Sequence, residues 1–240
     1  MRRHTRSIVV AVGICVCALA LAGCRCNRKA PTTAPAAGSD APAKPTQWRS
    51  LFDGKSLGQW APSDFGGDTL PMVRDGMLIL PPGNDLTGVT WTGPLPRMNY
   101  EIELEAQRVS GSDFFCGLTF PVNESCASLI LGGWGGSLCG ISCLDGRDAS
   151  QNETTCTRQF ENGRWYLVRL RVTPHRIQAW LDEEELIDAV ITNRAISVRW
   201  EVIPSQPLGI ATWQTAGAVR FIRMRELTEE EIEAARPRDL

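Results

Sequence analysis

Three stretches of this chain alternate apolar and polar residues with a period of two, a pattern that fits a half-buried antiparallel β-strand and not a helix. Asn99 to Ala106 sets Tyr100, Ile102, Leu104 and Ala106 on one side and Glu101, Glu103 and Glu105 on the other. Tyr166, Val168, Leu170 and Val172 alternate with Leu167, Arg169 and Arg171; Ile177, Ala179 and Leu181 alternate with Gln178, Trp180 and Asp182. Thr173-Pro174 marks the turn between the last two stretches, and Asp182 to Glu185 the turn before a strand over 186–190. Further strands are expected at 76–80, 114–120, 128–131, 208–213 and 219–225. One helix is signalled, at the end: Thr228 and Glu231 make a capping box, Leu227 and Ile232 its staple, and Arg236-Pro237 closes it. Many short strands with almost no helix predict an all-β fold, a jelly-roll sandwich of two antiparallel sheets with a short C-terminal helix.

The N-terminal region does not share this pattern. Arg2, Arg3 and Arg6 precede an uncharged run from Ile8 to Ala22, long enough for a signal peptide but short for a membrane span. Leu21-Ala22-Gly23-Cys24 follows and resembles the lipobox of bacterial lipoproteins. That resemblance makes 1–23 a lipoprotein signal peptide and Cys24 the lipidated residue. It implies export to the cell envelope, and Arg25 after the cysteine favours the outer over the inner membrane. Residues 24–47 are rich in Pro, Ala and Thr and read as a disordered tether. The jelly-roll domain is then expected over 48–227, with the helix and tail over 228–240.

The whole chain has a net charge of -2. Residues 1–23 hold three arginines and no acid, and residues 24–47 hold four basic residues against Asp40, so 48–240 carries -8. An acidic domain repels a phosphate backbone, which excludes nucleic acid as a partner. The basic tether instead suits anionic lipid headgroups beside its anchor. Of the nine cysteines, Cys116, Cys126, Cys139, Cys143 and Cys156 fall in the domain, an odd number for an oxidising compartment. At most two disulfides can form among them. Cys139 and Cys143 lie about 13 Å apart in an extended strand, too far to bridge each other. With His175 the one domain histidine and no C-x-x-C there, no metal site is expected.

Four segments together resemble one family. Trp48 to Trp60 (WRSLFDGKSLGQW) is similar to its opening, and Val73-Arg-Asp-Gly-Met-Leu78 to its V-x-D-G-x-L element. Arg176 to Asp182 and Val219 to Leu227 are similar to its late strands and closing R-x-I-x-[IL]-x-E-L. The family they resemble is the 3-keto-disaccharide hydrolase domain, which has a concanavalin-like fold and is common in exported proteins of environmental bacteria, Planctomycetes especially. Two of the family's polar signatures are altered. Gly111-Ser-Asp-Phe-Phe-Cys-Gly-Leu-Thr-Phe120 lacks the arginine expected there, and Ala211 and Trp213 stand where the family carries glutamine and histidine.

Candidate chemistry follows. Glu101, Glu103 and Glu105 project from one sheet face about 6–7 Å apart, as the strand-borne acids of concanavalin-like glycosidases do; the alternative is a solvated face with Arg169 and Arg171 as neighbours. Trp134, between glycines, is either a platform for the apolar face of a sugar or a core plug. Asp145, Asp148, Asn152 and Glu153 make a polar turn, with a Ca²⁺ site as the alternative to no cofactor at all. The Gly132–Thr155 segment and Trp213 are expected to form one substrate-binding site. The resemblance implies a hydrolase acting on a glycosidic bond of a 3-keto sugar, whose ketone acidifies the neighbouring C2–H so that a general base can start cleavage by elimination. The competing reading is a non-catalytic carbohydrate-binding or envelope-structural domain that kept the scaffold after losing its polar site.

Overall fold

The computed structural model describes residues 46–237. The signal peptide, Cys24 and the tether up to Pro45 lie outside the described residues. In chain order the strands are β1 (Arg49–Ser50), β2 (Trp60–Pro62), β3 (Met72–Arg74), β4 (Met77–Leu80), β5 (Leu86–Trp91) and β6 (Tyr100–Ser110). Then come β7 (Cys116–Val122), β8 (Ser125–Gly133), β9 (Leu138–Ser142), β10 (Cys156–Thr157) and β11 (Trp165–Val172). The last are β12 (Arg176–Leu181), β13 (Glu184–Val190), β14 (Gly209–Trp213) and β15 (Ala216–Glu226), with a 3₁₀ turn at Trp200–Ser205 before β14 and helix α1 at Glu229–Ala234 after β15.

Every pairing is antiparallel. The first sheet runs β13-β12-β11-β6-β15-β4-β3, with β1 also on β15; the second runs β10-β9-β8-β7-β14-β5-β2. The alternating stretches form the middle of the first sheet, and their apolar halves, Tyr100, Ile102, Leu104, Val168, Leu170 and Ile177, are buried. Facing them from the second sheet are Leu118, Phe120, Leu129, Leu131, Ile141 and Ile210. Two sheets sharing one core make the expected jelly-roll sandwich. The capping box closes as the sequence indicates: Glu231 N–H donates to Thr228 Oγ1 at 3.2 Å and Thr228 N–H to Glu231 Oε2 at 2.9 Å.

Two expectations need correction. The Gly132–Thr155 segment is not one long loop, because Leu138–Ser142 is a strand whose Cys139 and Ile141 point into the core. Glycine hid it: a Cβ on Gly140 would meet Ala149 O at 2.8 Å, so the strand keeps glycine where another segment crosses it. Second, tryptophans within or beside the family's structural motifs read as core residues, but of Trp48, Trp60, Trp165 and Trp180, Trp60 alone is fully buried, against Trp91. The other three lie on the outside of the first sheet under arginine side chains.

Candidate functional site

The three glutamates occupy the outer face of the first sheet, because each alternates with a core residue along β6. The ladder register sets arginines beside them: Arg171 opposite Glu101 and Arg169 opposite Glu103 on β11, and Arg220, Arg223 and Arg225 opposite Glu105, Glu103 and Glu101 on β15. A bulge between Arg220 and Arg223, with Phe221 at φ +55°, makes this possible. The extra residue flips the parity of β15, so arginines three apart and then two apart all face outward. Glu105 accepts from Arg220 at 2.6 Å, Glu103 accepts from Arg223, and Glu101, 2 % exposed, accepts from both Arg171 and Arg225. Arg169 stacks over Trp180 at 4.2 Å, Arg220 over Trp165 at 4.1 Å and Arg223 over Trp48 at 4.6 Å. Each glutamate is therefore an acceptor in an arginine–tryptophan layer.

A pocket of about 210 Å³ lies on the outer face of the second sheet, on the opposite side of the sandwich. The structure thus does not bring Glu101, Glu103 and Glu105 to it. Its floor is small and polar where β8 and β9 turn outward: Ser128 shares a hydrogen bond with Thr119 at 2.9 Å, and Ser142 accepts from Ala149 N–H at 3.1 Å. Its apolar walls include Phe114, Ile130, Trp134 and Trp213. Trp134 sits at the tip of the β8–β9 hairpin with φ +48° and is 46 % exposed; Trp213 ends β14 half-buried. Trp134 and Trp213 thus line the same pocket.

Asp113 assembles this corner. Its Oδ1 accepts from Phe114 N–H at 2.7 Å and its Oδ2 from Gly135 N–H at 3.0 Å, pinning the Trp134 turn. Trp213 N–H donates to Phe114 O at 3.1 Å, joining the second aromatic. The turn needs Gly136, at φ +115°, since a Cβ there would lie 2.6 Å from Ser112 O.

The opposite wall comes from the segment leading into the 3₁₀ turn. Arg199 donates to Glu201 at 2.6 and 3.2 Å and to Asp148 at 2.9 Å, and both Arg199 and Glu201 line the pocket. The Arg199 guanidinium holds the Glu201 carboxyl below the usual carboxylate range, so it is ionised at neutral pH. Asp148 thus stands behind the pocket, through Arg199.

The remaining expected site residues build the loop. Asn152, buried, donates to Ile141 O, Arg147 O and Asp148 O and accepts from Thr154. Asp145 and Glu153 both pair with Arg194, and Ala195 N–H donates to Asp145 at 2.8 Å. That N–H, then Arg194, lowers the Asp145 pKa, and Arg194 lowers that of Glu153. Among the described residues no group of three His, Cys, Asp or Glu side chains is placed to hold a metal ion.

Sequence reasoning missed Asp113, Phe114, Arg199 and Glu201. A signal for Asp113 and Phe114 was present: the two segments that depart from the family pattern, Gly111–Phe120 and the end of β14, both line this pocket.

The sequence model of the 3-keto-alpha-glucoside-1,2-lyase-like domain matches residues 47–225. No curated protein matches the sequence. Among solved structures, a Crh5 transglycosylase in complex with NAG aligns with TM-score 0.54 and 8 % identity, over 77 % of this chain and 84 % of that one. A native glycosidic hydrolase aligns with TM-score 0.50 and 8 % identity, over 76 % and 96 %. A prokaryotic beta-1,3-1,4-glucanase (lichenase) derived from a mouse hindgut metagenome gives 0.49 and 8 %, over 77 % and 100 %.

Proposed function

The chain belongs to the 3-keto-alpha-glucoside-1,2-lyase-like family, and from that premise we propose that its pocket takes one sugar ring of a 3-keto glycoside and cleaves the glycosidic bond. The observation that carries the reading is the meeting of Trp134, Trp213 and Glu201 in one small cavity on the second sheet. Two aromatic faces suit the apolar side of a pyranose, and a pocket below the roughly 300 Å³ of drug-sized sites suits one ring. Glu201 is the candidate base. It accepts the C2 proton next to the ketone, the electron pair of that C–H bond forms the C1=C2 double bond, and the aglycone oxygen leaves with the C1–O pair and takes up a proton. Arg199, a fixed cation beside Glu201, offers a donor to the developing enolate oxygen.

A second reading, a sugar-binding domain without turnover, is favoured by one specific observation. The oxygens of both pocket carboxylates, Asp113 and Glu201, are already engaged by donors of the protein.

Titration with a 3-keto disaccharide and its unoxidised parent, with enone absorbance followed in parallel, separates the two. Trp134→Ala and Trp213→Ala should each weaken binding about tenfold with an unchanged circular dichroism spectrum. Glu201→Gln should keep binding and abolish enone formation, since Arg199 retains Asp148 as its partner. Binding without turnover in the unsubstituted protein supports the second reading, and no binding of either sugar overturns both. The domain is further proposed to be held at the cell envelope by a lipid on Cys24, with carbohydrate as its ligand.

A further inference from the structure

Cys139 on β9 and Cys156 on β10 stand directly opposite each other in the second sheet. Arg158 N–H donates to Ser137 O at 2.8 Å, so a hydrogen-bonded pair falls at 137 and 158. The alternation of an antiparallel ladder puts the next such pair at 139 and 156, where Cα atoms are about 5.5 Å apart. That is the commonest Cα spacing of disulfides, about 5.5–6 Å. Directly opposite residues send their side chains to the same face. Here it is the inner one: Cys139 is fully buried in the core and Cys156, half-buried, packs against the same core. Neither of the other strand cysteines is so placed, Cys116 being opposite Leu131 and Cys126 opposite Pro121.

The two thiols differ in a useful way. The neighbouring Cys139 thiol, then Arg158, lowers the Cys156 pKa to about 7, while Cys156 and burial push that of Cys139 well up. Cys156 lies on a two-residue edge strand and is the member a solute reaches.

We propose that Cys139 and Cys156 are a disulfide-forming pair, oxidised by exchange with a small-molecule disulfide, and that the bond ties edge strand β10 to the strand that carries the Trp134 hairpin. The Cys156 thiolate attacks one sulfur of the oxidant, forming a mixed disulfide and releasing one thiolate. The Cys139 thiol then loses its proton and its sulfur attacks Cys156 Sγ, breaking the mixed bond and releasing the second thiolate. Two protein thiols are oxidised and one small-molecule disulfide is reduced to two thiols.

The test is to reduce the full chain, expose it to oxidised glutathione at neutral pH, block residual thiols and map the peptides. A Cys139–Cys156 linked peptide is expected, with Cys116, Cys126 and Cys143 still free. Reducing it again should lower the Tm by about 6–12 °C, as for a closed loop of this length. Cys139→Ser should instead stop at glutathione on Cys156, and Cys156→Ser should leave Cys139 unmodified. If Cys139→Ser does not fold, the unsubstituted protein's peptide map decides alone. Finding Cys139 and Cys156 both alkylated after oxidation, or either joined to a different cysteine, overturns the proposal.

Discussion

A carboxylate can be buried in a sheet face only where cations follow it, and Glu101 has two. Arg171 reaches it at 2.7 and 2.8 Å and Arg225 at 3.2 Å, with the arginine side chains 21 % and 11 % exposed. Removing the carboxylate leaves two shielded guanidiniums with Glu231 as the one remaining acid beside them. Glu101→Ala should therefore cost about 3 kcal/mol, and Glu101→Gln, which keeps volume and one acceptor, about 1–2 kcal/mol. Glu103 pairs with an Arg223 side chain that is 44 % exposed, so Glu103→Ala should cost under about 1 kcal/mol. Urea denaturation of the three variants checks the ranking; equal costs at positions 101 and 103 would sink the buried-pair account. At this scale the sequence was only half legible. Arg169 and Arg171 beside the glutamates followed from counting along two strands. The β15 arginines depended on a bulge that no periodicity announces.

Among the elements, helix α1 is the most strongly signalled and has an electrostatic task. Glu231 closes the capping box and also binds Arg225 at 2.6 and 2.9 Å, with Arg171 at 3.7 Å. Arg225 first, then the Thr228 N–H and Arg171, hold the Glu231 carboxyl at about 2, below its ordinary 4.5. A depressed carboxyl pKa contributes stability that is complete above about 4.5 and is lost as pH falls toward about 2. The partly exposed pair is screened by solvent, so the contribution is about 1–2 kcal/mol. Glu231→Gln should flatten the fall in stability across that window, measured by denaturant titration at pH 5, 4, 3 and 2. Should the variant lose stability over the same range as steeply as the unsubstituted chain, Glu231 is not the titrating group. The capping box was readable because all its atoms come from four consecutive residues. Strands β5 and β9 were not, because Gly88 and Gly140 break their alternation where Ile210 O and Ala149 O approach to within 2.6 and 2.8 Å of a would-be Cβ.

At the scale of the whole molecule, the sandwich has two outer faces with different chemistry. One is sealed by arginine, glutamate and tryptophan, and the other opens at a pocket beside the Trp134 hairpin. The proposed anchor belongs to this scale too. Cys24→Ser should move the protein from the membrane to the soluble exported fraction, followed by fractionation and immunoblotting. A variant that stays with the membrane overturns the lipid assignment. The sequence by itself determined the fold class, the antiparallel strands of the first sheet and the capped helix. Period-two burial and capping act between residues close in the chain, and the opening and closing motifs placed the chain in its family. Only the tertiary structure decided that the glutamates face away from the pocket, and that Asp113, Arg199 and Glu201 meet at it. Which of two outer faces a strand presents, and which distant segment crosses it, depend on sheet order and on contacts between residues about a hundred positions apart, and local pattern carries neither.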